Sequence, residues 1–417
     1  MSKAYLFPVG IAIALHLALT VMVSPRFEID SAFYTVQAQS LLDHGASLDA
    51  AGAPETRYTP GYPLFLAAFL AAGLGYAGAI AAQHLLWVVI ATLAVWLVLR
   101  AGGDNTAAIA AGVIAAVDLP VVHSSISILS ETLAAATLIA AVCATWLAMR
   151  APLEVTAIKW SIMAGLLGGA TALVRPIAIG LGVALAVAIT IGADRRWRLR
   201  SAAALLAVFS LFPAFWAMRN ARETGVFTLS SLAGINLLHY RAAGTLAIRD
   251  AGGIDVNLGR RRDELEQRAC QNLEGQYQRP CTSLSWAERA TAYADIAWPI
   301  VLGDPIATGR QAMRALGMIV FGGSASLLSE VTGVSDRSAR VVCLAYTVPL
   351  ALLAAAGIRY WWARHRTFAW LVLLVIGSMF GMALGAEAYS RFRVPAIALY
   401  GILCGGGIAA VRQRLTS

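Results

Sequence analysis

Ten stretches of this chain are apolar for long enough to cross a lipid bilayer: residues 5–23, 78–100, 105–121, 130–149, 158–174, 177–193, 201–218, 341–358, 368–386 and 395–411. In hydrocarbon a backbone must satisfy its own hydrogen bonds, and runs of about 17–25 apolar residues do so as helices. The pattern therefore predicts an all-α integral membrane protein of about ten transmembrane helices. Composition agrees, with 59% hydrophobic and only 13% charged residues among 417, where a soluble domain carries roughly a quarter charged. No small-x-small cleavage site precedes Ser24-Pro25-Arg26, so Tyr5–Val23 is read as a span rather than a leader.

The formal charge of +9 is an orientation signal. With both ends cytoplasmic, the inner segments carry thirteen basic residues, among them the RRWRLR run at 195–200 and RYWWARHR at 359–366, against Asp104, Glu154 and Asp194. One frame puts every basic cluster inside, as the positive-inside rule requires. The basic balance thus points to a membrane and to no nucleic acid. Two apolar pieces are too short to span, Gly61–Gly75 and Ala315–Leu328. Both fall on the outer side, where interfacial or re-entrant helices are expected. The chain divides into a membrane module 1–218 with a first outer loop 24–77, a long outer region 219–340, and closing helices 341–417. Within the long region, 263–275 and 285–301 read as helices. Cys270 and Cys281 lie in it, and outside the cytoplasm a disulfide is the favoured reading. Cys143, Cys343 and Cys404 lie in apolar runs and read as small buried hydrophobes.

Ionisable groups at membrane depth are costly and usually functional. In this frame Glu28, Asp30, Arg57, Asp118, His123, Glu131, Arg175, Arg219, Glu387, Arg391 and Arg393 all fall in outer loops or at outer span ends, so acids and arginines from seven segments share one face. Span ends need some polar residues in any case, but that does not account for Arg175, a lone charge in GLLGGATALVRPIAIGLG. A transporter of lipid-linked sugars is the competing class. It would place charges near mid-bilayer between related halves, and the halves here look unlike each other.

Six motifs occur in order: D-SAFY-TVQAQSLLDHG (30–45), RYTPGYPLF (57–65), ISILSETL (126–133), GLLGGATALVRP (165–176), WAMRNARETGVFTLSSLAGINLL (216–238) and SRFRVPAIALY (390–400). Together they resemble the polyprenyl-phosphate-dependent glycosyltransferases of the GT-C superfamily, which include protein mannosyltransferases, aminoarabinose transferases and galacturonic acid transferases. The resemblance implies an inverting transfer of a sugar from a polyprenyl-phosphate donor to a glycan, lipid or protein acceptor, with the active site facing the periplasm from the inner membrane. It points to Asp30 as the base, with Glu28 in reserve, because a carboxylate within hydrogen-bond reach can take the acceptor's proton. Asp30 is equally placed to cap the helix that follows it, although Phe33 stands where a capping box would want Glu or Gln. Arginines suit the departing phosphate: Arg391 and Arg393 first, then Arg175 and Arg57, with a snorkelling span end as the plainer reading of Arg393. Tyr58 and Tyr62 are candidates for sugar contact or interface anchoring, and Glu131 and Asn236 for sugar or acceptor contact. Many members carry two adjacent acids in the first loop. Here Ser31 follows Asp30, which leaves a divalent metal open and assigns no metal ligand. Asp118, His123 and Glu131 form a carboxylate–histidine set in sequence, for which a structural histidine is the favoured reading.

Overall fold

The computed structural model describes residues 3–416. Helix α1 (Lys3–Met22) leads into a connecting segment that holds α2 (Ile29–His44) and α3 (Gly61–Ala71). Then come α4 (Gly75–Arg100), α5 (Asn105–Val117), α6 (Leu119–Ile126), α7 (Glu131–Met149), α8 (Glu154–Val174), α9 (Leu181–Gly192) and α10 (Arg198–Thr224). The long region after α10 is itself helical: α11 (Leu232–Asn236), α12 (Ala243–Ala247), α13 (Gly253–Tyr277), α14 (Trp286–Gly303), α15 (Pro305–Phe321) and α16 (Ala325–Thr332). Helices α17 (Asp336–Arg364), α18 (Arg366–Ala383) and α19 (Ile397–Thr416) close the chain, with a 3₁₀ turn at Ser390–Ala396 before the last. Among the described residues there is no strand, only two isolated bridges, Arg26 with Ser127 and Leu48 with Pro54.

Among the described residues, eight helices are long and apolar enough to cross a membrane, and two bent pairs bring the number to as many as ten. The chain is a multi-pass membrane protein. The predicted span 105–121 is α5 and α6, bent by 46°. Pro120 opens α6 and offers no N–H to continue the ladder from α5. The predicted span 177–193 is a 3₁₀ turn at Pro176–Gly180 followed by α9. The short apolar piece at 315–328 falls across α15 and α16, which meet at 40°. Ser324, at the break, takes φ +56.

The bundle packs through small residues. A Cβ on Gly357 of α17 would run into the carbonyl of Leu403 on α19, and one on Gly407 of α19 into that of Leu353. Glycine here lets two backbones touch, as membrane helices favour when no water drives them together. Helix α4 buries Trp87, Ile90, Leu97 and Val98 in the same core as α7 and α19. This scaffold holds the start of α7, the end of α8 and the turn before α19 side by side.

Candidate active site

The first turn of α2 decides what Asp30 does. Glu28 occupies the N-cap position, and its backbone N–H donates to Ser31 Oγ at 2.8 Å. Ser31 Oγ in turn donates to the Ile128 carbonyl at 2.9 Å, which fixes the helix start against the segment before α7. The capping role therefore belongs to Glu28, and the Asp30 side chain is spared for other partners. Its Oδ1 accepts from the Tyr58 hydroxyl at 3.2 Å, and its Oδ2 is paired with the Arg391 guanidinium.

Arg391 comes from the 3₁₀ turn before α19 and reaches a second acid, donating Nε–H to Glu131 Oε1. Glu131 opens α7 and is fully buried. Arg175 Nη1 lies 2.5 Å from the same oxygen and donates to Ser130 Oγ at 3.2 Å. Arg175 precedes Pro176, which disfavours helical backbone. Its φ of −140° and ψ of 114° end α8 and turn the side chain off the helix toward α7. Two carboxylates and two guanidiniums from four segments thus form one cluster. Glu131 is sealed within it, while the side chains of Asp30 and Arg391 keep about a quarter of their surface exposed, 25% and 28%. Glu131 Oε2 is buried without a hydrogen-bond partner among the described residues.

Two tyrosines border this cluster from outside the spans. Burial first, then the Asp30 charge, push the Tyr34 hydroxyl up to about 12 and the Tyr58 hydroxyl higher still. Both stay protonated: Tyr58 donates to Asp30, and the Tyr34 hydroxyl lies 3.1 Å from Ser130 Oγ.

Other candidates lie elsewhere. Arg393 is fully buried, with its fork on both oxygens of Asp118 at 3.2 Å and on the carbonyls of Ile319, Val320 and Gly322. It ties the end of α15 to the bend between α5 and α6, with neither the exposure of a snorkelling residue nor an open face for phosphate. Tyr62 has no exposed surface and donates to Gln83 Oε1 at 2.8 Å. That corrects the expectation of a sugar-stacking or interface side chain, because hydrogen bonding and packing inside the protein occupy it. Arg57 is held by Glu55 through Nε at 3.0 Å and Nη2 at 2.6 Å, away from Asp30. Asn236 is exposed on α11. Cys270 and Cys281 are disulfide-bonded.

The carboxylate–histidine set is dispersed: Asp118 pairs with Arg393, Glu131 with the two arginines, and His123 Nε2 lies 2.8 Å from Glu28. No three His, Cys, Asp or Glu side chains gather as a metal site among the described residues. The acids at the centre already face guanidiniums, so this donor set does not fit a resident divalent ion. The motifs contained Ser130 and Tyr34 but did not single them out. Glu55 beside Arg57 was a readable signal. Trp286, which packs over Arg57, carried none, since it lies far along the chain in a region without a matching motif.

The helical architecture is similar to that of a solved archaeal oligosaccharyltransferase, and part of the sequence matches a mannosyltransferase family model. The family model for dolichyl-phosphate-mannose-protein mannosyltransferases matches residues 57–222. The Archaeoglobus fulgidus oligosaccharyltransferase in its apo form overlays 99% of the chain with TM-score 0.57 at 15% identity, and 51% of its own length is covered. The same enzyme, AglB, in complex with an inhibitory peptide and a dolichol-phosphate, gives TM-score 0.57 at 14% identity with the same coverage. ArnT from Cupriavidus metallidurans, bound to undecaprenyl phosphate, overlays more loosely, with TM-score 0.44 at 14% identity over 96% of this chain and 77% of its own. The chain spans about half the length of the archaeal enzyme. No curated protein matches the sequence.

Proposed function

We propose that the chain is an inverting glycosyltransferase that moves a sugar from a polyprenyl-phosphate donor to an acceptor hydroxyl or amine at the outer, periplasmic face of the inner membrane. The observation that carries this reading is the convergence of Asp30, Glu131, Arg175 and Arg391 at the span ends. The family match and the dolichol-phosphate held by the archaeal enzyme support it. A transporter would place its charges mid-bilayer on broken helices, and this cluster sits instead between α2, the head of α7 and the turns at Arg175 and Arg391.

The acceptor oxygen bonds to the anomeric carbon from the side opposite the phosphate. The carbon–oxygen bond to the phosphate breaks, and its electron pair leaves on the lipid phosphate. The acceptor's proton passes to Asp30 and from there to water. Charge grows on the phosphate as it leaves, and a preoriented guanidinium is worth most at that moment. Arg391 is that group, because it is partly exposed and Glu131 holds it in place. Arg175 stands behind it, oriented by the same oxygen. In the resting arrangement Arg391 also covers Asp30 Oδ2. An incoming phosphate competes for the guanidinium and frees that oxygen for the acceptor, so donor binding precedes activation of the base. Glu28 is a positioning residue at the helix cap, and Arg393 and Arg57 lie outside the phosphate site.

The test is transfer by the purified protein in liposomes charged with a polyprenyl-phosphate sugar, together with mass spectrometry of envelope glycans from a deletion strain. Lipid flipping without transfer would sink the proposal.

A further inference from the structure

A cavity of about 250 Å³ lies beside the charge cluster, between α2, the loop before α3 and the start of α14. Its wall includes Phe33, Asp49, Ala51, Glu55, Arg57 and Trp286. Resting on the reading above, we propose that this cavity is the acceptor subsite and holds one hydroxyl-bearing sugar residue that carries no phosphate or carboxylate.

Position is the first argument. Asp30 and Phe33 are three residues apart on α2, hence neighbours on one helix face, about 4.5 Å along the axis. The rings of Phe33 and Tyr58 stack at 5.0 Å, and the Tyr58 hydroxyl is bonded to Asp30. A group in the cavity lies one helical turn from the base. Chemistry is the second. Arg57 is clamped between Phe33 and Trp286, 4.8 Å from each ring, and is doubly bonded to Glu55, whose side chain is 1% exposed. These contacts engage Nε and Nη2, and among the described residues no hydrogen bond uses Nη1. Asp49 accepts from the Ala51 and Ala53 amides on Oδ1, and among the described residues no hydrogen bond uses Oδ2. A rigid guanidinium donor and a carboxylate acceptor in one small wall match the paired donor and acceptor character of sugar hydroxyls.

Charge and size narrow the class. Glu55 neutralises Arg57, which leaves the Asp49 carboxylate in surplus and disfavours anionic ligands. The volume falls below the roughly 300–1,000 Å³ of pockets for drug-sized molecules, a fit for one ring rather than several. A peptide acceptor read through its backbone would want an exposed sheet edge, and the described residues offer only isolated bridges.

The experiment uses the full chain in nanodiscs and saturation-transfer NMR. Probes are methyl glycosides of neutral hexoses and N-acetylhexosamines, with methyl glucuronide, glucose 6-phosphate and a Ser/Thr hexapeptide as comparisons. Undecaprenyl phosphate binding is measured in parallel. Neutral glycosides are expected to bind, with Kd raised about tenfold or more by Asp49→Asn, which loses a charge-assisted hydrogen bond. Ala51→Trp, in an exposed turn, should abolish glycoside binding by filling the cavity and leave lipid binding intact. No binding by neutral glycosides, binding that survives Ala51→Trp, or preference for the anionic probes or the peptide overturns the assignment. Arg391→Ala provides the separate check. Unchanged undecaprenyl phosphate binding in that variant would sink the donor-site reading while glycoside binding still tests the cavity.

Discussion

Asp30 and Glu28 differ by two positions in sequence and by role in the structure. A helix start exposes four N–H groups, and Glu28 sits where the cap must be. Two positions on, about half a turn of helix round, Asp30 faces Tyr58 and Arg391. Replacing Asp30 by Asn preserves shape and hydrogen bonding to Tyr58 and removes the proton acceptor. Transfer should fall by about 10²–10⁴-fold with undecaprenyl phosphate binding retained, as measured by turnover and lipid binding on the same preparation; retained turnover would remove Asp30 as base. Arg391 and Arg393 give the opposite lesson. They flank Phe392 in a 3₁₀ turn, where three residues make one turn, so positions two apart point in different directions. One reaches the cluster and the other is sealed against Asp118. Removing one partner of that sealed pair, as in Asp118→Ala, should cost about 3–5 kcal/mol. Replacing both, as in Asp118→Leu with Arg393→Met, should recover most of the loss. Thermal midpoints in detergent separate these outcomes, and equal loss in both variants would contradict a closed pair.

At the scale of elements, prolines place the turns and glycines set the spacing. Pro176 ends α8 and frees Arg175, and Pro120 bends α5 from α6 and leaves Asp118 at the corner. The closest helix contact, α17 on α19, depends on Gly357 and Gly407. Gly357→Val should push the two helices apart and displace the 3₁₀ turn that carries Arg391. The expected result is reduced thermal stability together with weaker undecaprenyl phosphate binding. An exposed glycine such as Gly259, with open space about it, should tolerate Ala with neither effect. In the region after α10 the disulfide joins α13 to the segment before α14. That supports the start of α14, where Trp286 meets Arg57.

At the scale of the whole molecule, the frame proposed from charge is open to direct test. With the accessible positions converted singly, Ala50→Cys should react with an impermeant maleimide added outside intact cells. Gln413→Cys should react only after lysis, since the native thiols Cys143, Cys343 and Cys404 are buried. Labelling of Gln413→Cys in intact cells would reverse the frame. Much of this scale was legible from residues alone. Apolar runs of bilayer length declare helices because hydrocarbon leaves the backbone no other partner, and the Arg-Pro, Ser-Glu and Arg-Phe-Arg motifs contain Arg175, Glu131 and Arg391, which the structure brings into one cluster. Sequence order could not declare contact. Asp30 and Arg391 lie 361 positions apart. Only packing of α7, α8 and the last helix brings their side chains together, and only local backbone turns direct Tyr62, Arg57 and Arg393 away. The helical spans and the roster of charged residues at their ends follow from solvation, which acts on each segment separately. The choice among those charges, and the cavity beside them, depends on distances between segments, which tertiary packing alone sets.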